Sequence, residues 1–129
     1  MTVDSQNIIE NFYKALGQGD LDTISQLFSH DIEWTEMAGF PYGGVYIGMD
    51  AITANVFGKL GDEWIGFGVD VEEYVSLKNR VVAHGRYRGV NKASGKSIDV
   101  KMVHSWTVAD GKITKFEQYT DTHLVQAAM

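Results

Sequence analysis

Among the acidic and histidine side chains of this sequence, three are candidates to move a proton or to stabilise the charge that its removal creates: Asp121, His104 and Glu36. A carboxylate can act as a general base on a carbon beside a carbonyl group, and burial raises its pKa toward neutrality. Asp121 is followed closely by the apolar residues Leu124 and Val125, which predicts a desolvated acid–base group. The alternative is that Asp121 caps a C-terminal helical turn, a position that favours Asp.

His104 and Glu36 are the second and third candidates. His104 lies in an alternating segment, where it shares a face with Met102 and Trp106. A histidine in such an apolar row is often a hydrogen-bonded core residue, but its ring could also donate to a developing enolate or relay a proton to Asp121. Glu36 ends a shorter alternating segment and could remove a proton from carbon, and the alternative is a solvated charge at a strand end.

Aromatic residues stand where they could shape a pocket for a flat apolar molecule. Tryptophan and tyrosine rings stack on such ligands, and small-molecule pockets are lined mainly by such side chains. The alternative for each ring is a place in the ordinary core. Trp64 and Tyr42 are the stronger ligand candidates because they occur in less regular, Gly-flanked segments. The full candidate set is Trp34, Tyr42, Trp64, Trp106 and Tyr119.

A row of polar residues alternates along the segment VVAHGRYRG, at His84, Arg86 and Arg88. Such alternation places side chains on one face of a strand. A solvated face, a contact between two copies of the chain, or a clamp for a substrate anion would each account for this row. The sequence leaves all three interpretations open.

Composition and missing motifs exclude several function classes. The chain of 129 residues has no cysteine, which excludes disulfides, thiolate metal sites and a cysteine nucleophile. Its four histidines show no HExxH or HxH spacing, and we find no phosphate loop, dinucleotide-binding glycine motif or nucleophile elbow. We therefore expect no metal and no organic cofactor. A net charge of −6 argues against nucleic acid as a partner. Without a long apolar run or a signal-peptide pattern, we expect a cytoplasmic protein that does not enter the membrane.

The periodicity of apolar residues predicts helices first and strands afterwards. Spacings of three and four predict helices over 4–17, over a short segment capped by Asp20, and over 50–60. Alternation predicts strands over 30–37, 67–77, 80–90, 97–109 and 112–121. A Gly-rich loop is expected over 38–48, a hairpin turn at Asp110-Gly111 and a last turn in 122–129. This order predicts a single α+β domain over residues 1–129, with about three N-terminal helices packed on one face of the sheet.

Two segments resemble the ketosteroid-isomerase/nuclear-transport-factor-two-like superfamily. NFYKALGQGDLDTISQLFSHDIEW (11–34) resembles its opening helix pair and first strand. HSWTVADGKITKFEQYTDT (104–122) resembles the closing hairpin of the polyketide-cyclase-like (SnoaL-like) branch. The resemblance implies a cone-shaped, curved antiparallel or mixed sheet around a pocket, and a homodimer through the exposed sheet face. Because this fold hosts isomerases, dehydratases, cyclases, epoxide hydrolases and binding modules, it does not specify the reaction.

The resemblance also implies roles for single residues. An Asp at the position of Asp121 is the general acid/base of the polyketide-cyclase-like branch. The positions of His104 and Glu36 hold an oxyanion-binding residue and the catalytic carboxylate in the steroid isomerases. Their oxyanion-holding tyrosine corresponds to Phe12, so Phe12 is expected at the pocket without a hydroxyl. Tyr13 is expected to point elsewhere, since one residue along a helix turns a side chain by about 100°, which argues against a true steroid isomerase.

The sequence thus predicts a cofactor-independent acid–base enzyme for a small hydrophobic carbonyl or enol compound, in the manner of a polyketide cyclase or isomerase. Asp121 would move the proton and His104 would stabilise the oxyanion, both facing a cavity of at least about 300 Å³. The rival prediction is a non-catalytic module that binds a small ligand or a protein partner. In that case His104 and Asp121 lie apart, or side chains fill the cavity.

Overall fold

The computed structural model describes residues 4–129, in which helices precede most of a six-stranded sheet. The helices are α1 (Ser5–Gly17), α2 (Leu21–Leu27), α3 (Met49–Ile52), α4 (Gly58–Glu63) and α5 (Thr122–Ala127), with a π-helical turn at Thr53–Phe57 between α3 and α4. The strands are β1 (Phe28–Glu36), β2 (Gly44–Ile47), β3 (Trp64–Ser76), β4 (Arg80–Asn91), β5 (Ser97–Ala109) and β6 (Lys112–Thr120). The α+β fold class expected from the sequence is confirmed.

Local signals at the helix starts act as the sequence predicts. The Asp4 side chain accepts a hydrogen bond from the backbone N–H of Gln6, and Asp20 accepts one from Thr23. Each of these bonds satisfies a backbone donor that the first turn of a helix leaves unpaired. The apolar stripe of α1 is then buried against the sheet, at residues that include Ile8, Ile9, Phe12 and Ala15.

Strands β1 and β3 begin two and three residues earlier than expected, and two other segments differ more. The Gly-rich loop expected over 38–48 contains the short edge strand β2, because its backbone pairs antiparallel with the end of β1. The helix expected over 50–60 runs from Met49 to Glu63 and contains the π-helical turn. A π-helical turn inserts a residue into the helical repeat and is often found beside functional sites.

The sheet has the strand order β2-β1-β6-β5-β4-β3. Strand β1 runs parallel to β6, and all other neighbours are antiparallel, so the sheet is mixed. The β5–β6 hairpin turns at Asp110 and Gly111, which have φ values of 52° and 76°. Such positive φ values at both positions are what a tight hairpin turn requires, and the Asp-Gly prediction is confirmed.

Irregular pairing curves the long strands. The register between β3 and β4 shifts between Ile65 and Gly68 and again between Val71 and Glu73. At the second shift Gly85 approaches the partner strand so closely that a Cβ atom would lie 2.1 Å from the backbone oxygen of Asp70. Because bulges bend a strand and increase its twist, the sheet becomes concave on the face that meets the helices. Among the described residues, no helix is long and apolar enough to cross a membrane.

Candidate functional site

A cavity of about 560 Å³ lies on the concave face of the sheet. Its wall is built from α1, the π-helical turn, α4 and five of the six strands. Eight Phe, Tyr and Trp side chains supply most of the apolar surface: Phe12, Tyr13, Trp34, Phe40, Phe57, Trp64, Phe67 and Tyr87. Within residues 4–129, no Lys or Arg lines the cavity. Its size exceeds the 300 Å³ typical of the smallest ligand pockets.

The Glu36 carboxyl is the acidic group of this wall. Glu36 is the last residue of β1 and is only 4% exposed. Its Oε1 accepts a hydrogen bond of 3.1 Å from Trp34 Nε1, two residues back on the same face of the strand. Its Oε2 is buried without a hydrogen-bond partner among the described residues. Burial raises the pKa of Glu36 to about 8, against the opposing effects of the Trp34 indole and the Gln118 amide.

His104 lies on β5 at the centre of a hydrogen-bonded chain. Its Nδ1 is 2.6 Å from the Tyr13 hydroxyl oxygen, and its Nε2 is 2.5 Å from the Tyr87 hydroxyl oxygen. Burial lowers the pKa of His104 to about 3, so the ring is neutral at physiological pH. A neutral imidazole has one N–H and one acceptor nitrogen, so one ring nitrogen of His104 donates its hydrogen bond and the other accepts.

At each end of this hydrogen-bonded chain, a further side chain donates to the tyrosine hydroxyl oxygen. Trp106 Nε1 donates to the Tyr13 hydroxyl oxygen at 3.0 Å. Gln118 Nε2 donates to the Tyr87 hydroxyl oxygen at 2.9 Å. The other end of the Gln118 amide is held because its Oε1 accepts from the backbone N–H of Met37 at 3.2 Å. Burial also raises the pKa of both tyrosines above the ordinary value, so neither hydroxyl ionises readily.

Five of the nine site residues expected from the sequence line the cavity: Phe12, Trp34, Glu36, Trp64 and His104. They come from α1, β1, β3 and β5, which the curvature of the sheet brings around one space. His104 is 3% exposed, and its neighbours Met102 and Trp106 on the same strand face are buried with it, as the alternation predicts.

Asp121 does not line the cavity, and the prediction of a desolvated acid–base group there is wrong. Its side chain is exposed, and its Oδ1 accepts a hydrogen bond of 3.0 Å from the backbone N–H of Leu124. Asp121 is the N-cap of α5. The apolar neighbours do not cover it because this short helix buries Val125, while Leu124 is 49% exposed.

Three of the expected aromatic residues also lie elsewhere. Trp106 is fully buried in the core, and Tyr119 is 46% exposed on the opposite face of the sheet. The Tyr42 hydroxyl donates to Glu63 Oε1 at 2.7 Å and accepts from Trp64 Nε1 at 3.1 Å. Tyr42 therefore holds the Trp64 indole in place and does not itself line the cavity.

Tyr13, Tyr87 and Gln118 are site residues that the sequence prediction missed. The expectation that Tyr13 points elsewhere is wrong, because the turn from Phe12 carries its ring onto His104, with centroids 5.8 Å apart and planes at 13°. Tyr87 and Gln118 could have been found by alternation. Each stands on the inward side of its strand, and Gln118 is the direct cross-strand partner of His104.

The polar row on β4 faces away from the cavity. Arg86 Nε lies 2.5 Å from Asp99 Oδ1, and Arg88 pairs with Asp70 at 2.5 Å and with Asp99 at 3.5 Å. His84 is exposed on the same face. An anion clamp for the cavity is therefore excluded for this row, whose arginines are paired with carboxylates of the chain itself.

The chain is similar to several known proteins along nearly its whole length. A family model described as a SnoaL-like domain matches residues 9–116. An NTF2-like protein of Burkholderia thailandensis is 39% identical, covers 99% of this chain and 98% of its own, and has a TM-score of 0.95. An uncharacterized protein of Mycobacterium tuberculosis is 29% identical over 92% of this chain and 91% of its own length.

Further solved structures share the fold. TerC, co-crystallised with polyporic acid, is 25% identical, covers 95% of each chain and has a TM-score of 0.85. Structures described as ketosteroid isomerase-like and as polyketide cyclase proteins are also similar, at identities between 17% and 22%. Within residues 4–129, no cluster of three His, Asp or Glu side chains could hold a metal ion.

Proposed function

This chain belongs to the SnoaL-like domain family, and on that premise we propose that it is a cofactor-independent acid–base enzyme for a small, neutral, flat carbonyl or enol compound. Glu36 is the group that moves the proton. The observation that supports this most directly is the Glu36 Oε2 atom, which is buried in an aromatic cavity wall without a hydrogen-bond partner among the described residues. Native proteins rarely leave a buried polar atom unpaired, and such atoms are often functional.

The cavity favours this class of ligand by shape and by charge. Aromatic walls of this size accommodate a molecule of one to three rings through stacking and burial of apolar surface. An anionic ligand would meet the Glu36 carboxyl and no cationic side chain among the described lining residues. Transfer of an unpaired anion into such a space is strongly unfavourable. The similarity to TerC, co-crystallised with polyporic acid, also supports a small organic ligand.

The proposed reaction begins with proton transfer from carbon to Glu36. The ionised carboxylate takes a proton from the carbon beside the carbonyl, and the electron pair of that C–H bond moves to give an enolate. Return of the proton to another carbon completes an isomerisation. In a cyclisation, the enolate carbon bonds to a second carbonyl carbon of the same molecule, the electron pair of that C=O bond moves to its oxygen, and this oxygen takes the proton back from Glu36. A pKa of about 8 suits Glu36 to both directions, because a group that titrates near the working pH accepts and returns a proton with little cost.

The test is deuterium exchange at carbon, followed by NMR, in a panel of neutral aromatic ketones such as 2-tetralone. The wild-type protein should accelerate exchange, and Glu36→Gln should lower the rate by about 10²–10⁴-fold. The exchange rate should rise with pH up to about 8, because the base must be ionised. Asp121→Asn is the matched control, since it neutralises a carboxylate outside the cavity and keeps a favourable N-cap. Equal rates for Glu36→Gln and wild type would remove Glu36 from the reaction.

A second candidate function is ligand binding without catalysis. It is favoured by the position of Asp121 outside the cavity and apart from His104, as this function predicts. The same panel distinguishes the two functions. Binding of a ketone with no exchange, unchanged in Glu36→Gln, would support a binding protein.

We also propose that two copies of the chain associate through the outer face of the sheet. Three exposed apolar side chains support this face: Val45 and Ile47 on β2 and Tyr119 on β6. All three point away from the cavity, since their cross-strand partners are Thr35, Glu33 and Val103. Sedimentation velocity should show a dimer that Tyr119→Glu weakens, and a monomeric wild type at micromolar concentration would exclude it.

A further inference from the structure

We propose that the Tyr87 hydroxyl is the hydrogen-bond donor that holds the ligand's oxygen, and that His104 is the positioning residue that frees its hydrogen for this role. The inference rests on the proposed function of the cavity and adds the chemistry of the ligand atom that is recognised. That atom is an acceptor oxygen, such as a ketone carbonyl. His104 itself gives no hydrogen to the ligand, in contrast to the direct oxyanion contact expected from the sequence.

The hydrogen-bonded chain Tyr13–His104–Tyr87 carries more hydrogens than its internal hydrogen bonds use. The two hydroxyls and the neutral imidazole carry three hydrogens. The two hydrogen bonds that join them, at 2.6 and 2.5 Å, use two of these hydrogens. If Tyr13 donates to Nδ1, then Nε2–H donates to Tyr87, and in the opposite tautomer both bonds reverse. In either case one tyrosine hydroxyl hydrogen is left over.

The side chains at both ends of the hydrogen-bonded chain donate, so neither offers an acceptor for the spare hydroxyl hydrogen. Trp106 Nε1–H can only donate, and it already points at the Tyr13 oxygen. Gln118 presents its NH₂ to the Tyr87 oxygen because its carbonyl oxygen accepts from Met37 N–H. The spare hydrogen must therefore turn toward the cavity, which both tyrosines line.

Tyr87 is the tyrosine that keeps the spare hydrogen, because the unpaired acceptor of the cavity lies on its side. The Gln118 amide, which donates to Tyr87, is also close to the Glu36 carboxyl and opposes the rise of its pKa. The Gln118 amide oxygen accepts from the backbone N–H of Met37, the residue after Glu36, whereas the Tyr13 hydroxyl lies at the other end of the hydrogen-bonded chain, beside Trp106. Once Glu36 is ionised, its carboxylate attracts a hydroxyl hydrogen at Tyr87, so we expect the Nε2–H tautomer of His104.

This arrangement gives the cavity two groups with separate tasks. Tyr87 O–H binds the carbonyl oxygen, and Glu36 Oε2 faces a neighbouring carbon. Because burial makes the Tyr87 hydroxyl a weak acid, it stabilises the enolate by hydrogen bonding and keeps its own proton. The ligand therefore needs an uncharged acceptor oxygen beside an apolar, flat body.

The first experiment needs no ligand. Long-range ¹H–¹⁵N correlation NMR distinguishes protonated from unprotonated ring nitrogens, and His104 is assigned through the backbone of β5. We expect a neutral ring with the proton on Nε2 at pH 9, where Glu36 is ionised. A proton on Nδ1 would place the spare hydrogen on Tyr13 and overturn the assignment. A cationic ring would also overturn it, because both tyrosine oxygens would then accept from His104.

The second experiment compares two probes of the same shape, 2-acetylnaphthalene and 2-isopropenylnaphthalene, by isothermal titration calorimetry. The ketone should bind about 3- to 10-fold more tightly, which corresponds to one net hydrogen bond. Tyr87→Phe should remove this preference while the alkene binds as before. Tyr46→Phe is the matched control, since its hydroxyl donates to the Tyr42 carbonyl oxygen and does not line the cavity. An unchanged ketone preference in Tyr87→Phe would overturn the proposal.

Failure of this inference and of the proposed function are distinguishable. Suppose that Glu36→Gln loses carbon exchange and that Tyr87→Phe keeps the preference for the ketone. The proposed acid–base function would then stand, and the proposed hydrogen bond from Tyr87 to the ligand would be rejected. If the proton lies on Nε2 but neither naphthalene binds, the proposed contact of Tyr87 with a ketone oxygen is overturned, while carbon exchange still tests Glu36 separately.

Discussion

The two faces of the sheet at β4 and β5 place neighbouring residues in opposite electrostatic environments. Tyr87 and His104 point into the cavity, whereas Arg86 and Asp99 point outward and lie 2.5 Å apart. Inside, burial raises the pKa of Glu36 and lowers that of His104, so both groups are driven toward their neutral forms. Outside, the ion pairs raise the pKa of Arg88 and lower that of Asp99, so both are driven toward charge.

The contrast shows how one strand presents side chains to two different environments. Alternation of period two sends adjacent side chains to opposite faces. On the outer face, ion-pair partners and water stabilise the charged forms of the side chains. On the cavity face, burial removes water and favours the neutral forms. A buried group whose pKa is shifted toward neutral pH can exchange a proton with a ligand, which is the property that the proposed function requires.

The largest effect expected from this contrast is on folding stability. Trp106→Ala removes a fully buried indole and the donor to the Tyr13 hydroxyl, and it should lower the free energy of unfolding by about 3–5 kcal/mol. Lys101→Ala, an exposed site on the same strand, should change it by no more than about 0.5 kcal/mol. Urea denaturation gives both values. Similar losses for the two variants would mean that the faces of β5 do not differ in packing.

An intermediate effect concerns the pH dependence of stability. The pKa of Glu36 is 4.5 when unperturbed and about 8 in the fold, so between these values the folded state holds a proton that the unfolded state has lost. Stability contributed by this group therefore falls as pH rises from 4.5 to about 8. Glu36→Gln should match wild type near pH 4.5 and become more stable than wild type by up to about 1.4 kcal/mol per pH unit within that window.

Asp99→Asn tests the outer face, and its effect on folding stability should be opposite in sign to that of Glu36→Gln. The pKa of Asp99 is lowered by Arg86, so its charged form stabilises the fold and that stability is lost as pH falls through the folded pKa. The asparagine variant should be slightly less stable than wild type at neutral pH. Thermal melts from pH 3 to 9 measure both variants, and a shift of the same sign for Glu36→Gln and Asp99→Asn would contradict the comparison.

The smallest effect is expected for the exposed ion pairs themselves. Replacing Arg88 by Ala removes contacts with Asp70 and Asp99, and should lower the melting temperature slightly at low salt. The difference should vanish in about 1 M salt, where charges are screened beyond about 3 Å. A salt-independent loss would instead indicate that the arginine stem contributes by packing.

Much of the fold was predictable because its signals are local. The Asp caps of α1 and α2, the Asp110-Gly111 turn and the apolar face of β5 each depend on a few adjacent residues. The short strand β2 was not predictable, since four residues of a Gly-rich segment form a strand only when the end of β1 offers its backbone.

The candidate site was predictable in part. Alternation identifies His104 as an inward residue, and the same rule applied to β4 and β6 would have found Tyr87 and Gln118. Asp121 was misplaced because its apolar neighbours suggest burial, although a six-residue helix can bury only one side. Tyr13 was misplaced because a helical rotation of about 100° says where a side chain leaves the helix and not what it meets there.

The sequence by itself determined the fold class, the strand faces and the types of residue available for chemistry, since these follow from periodicity and from the properties of single side chains. Only the tertiary structure decided which carboxyl lies at the cavity and which hydroxyls reach His104. Glu36 and Asp121 are both carboxylates that close a regular strand segment, and they differ because the curved sheet covers one and leaves the other in water. Burial and the direction of hydrogen bonds are properties of the assembled surroundings, and no short stretch of sequence encodes them.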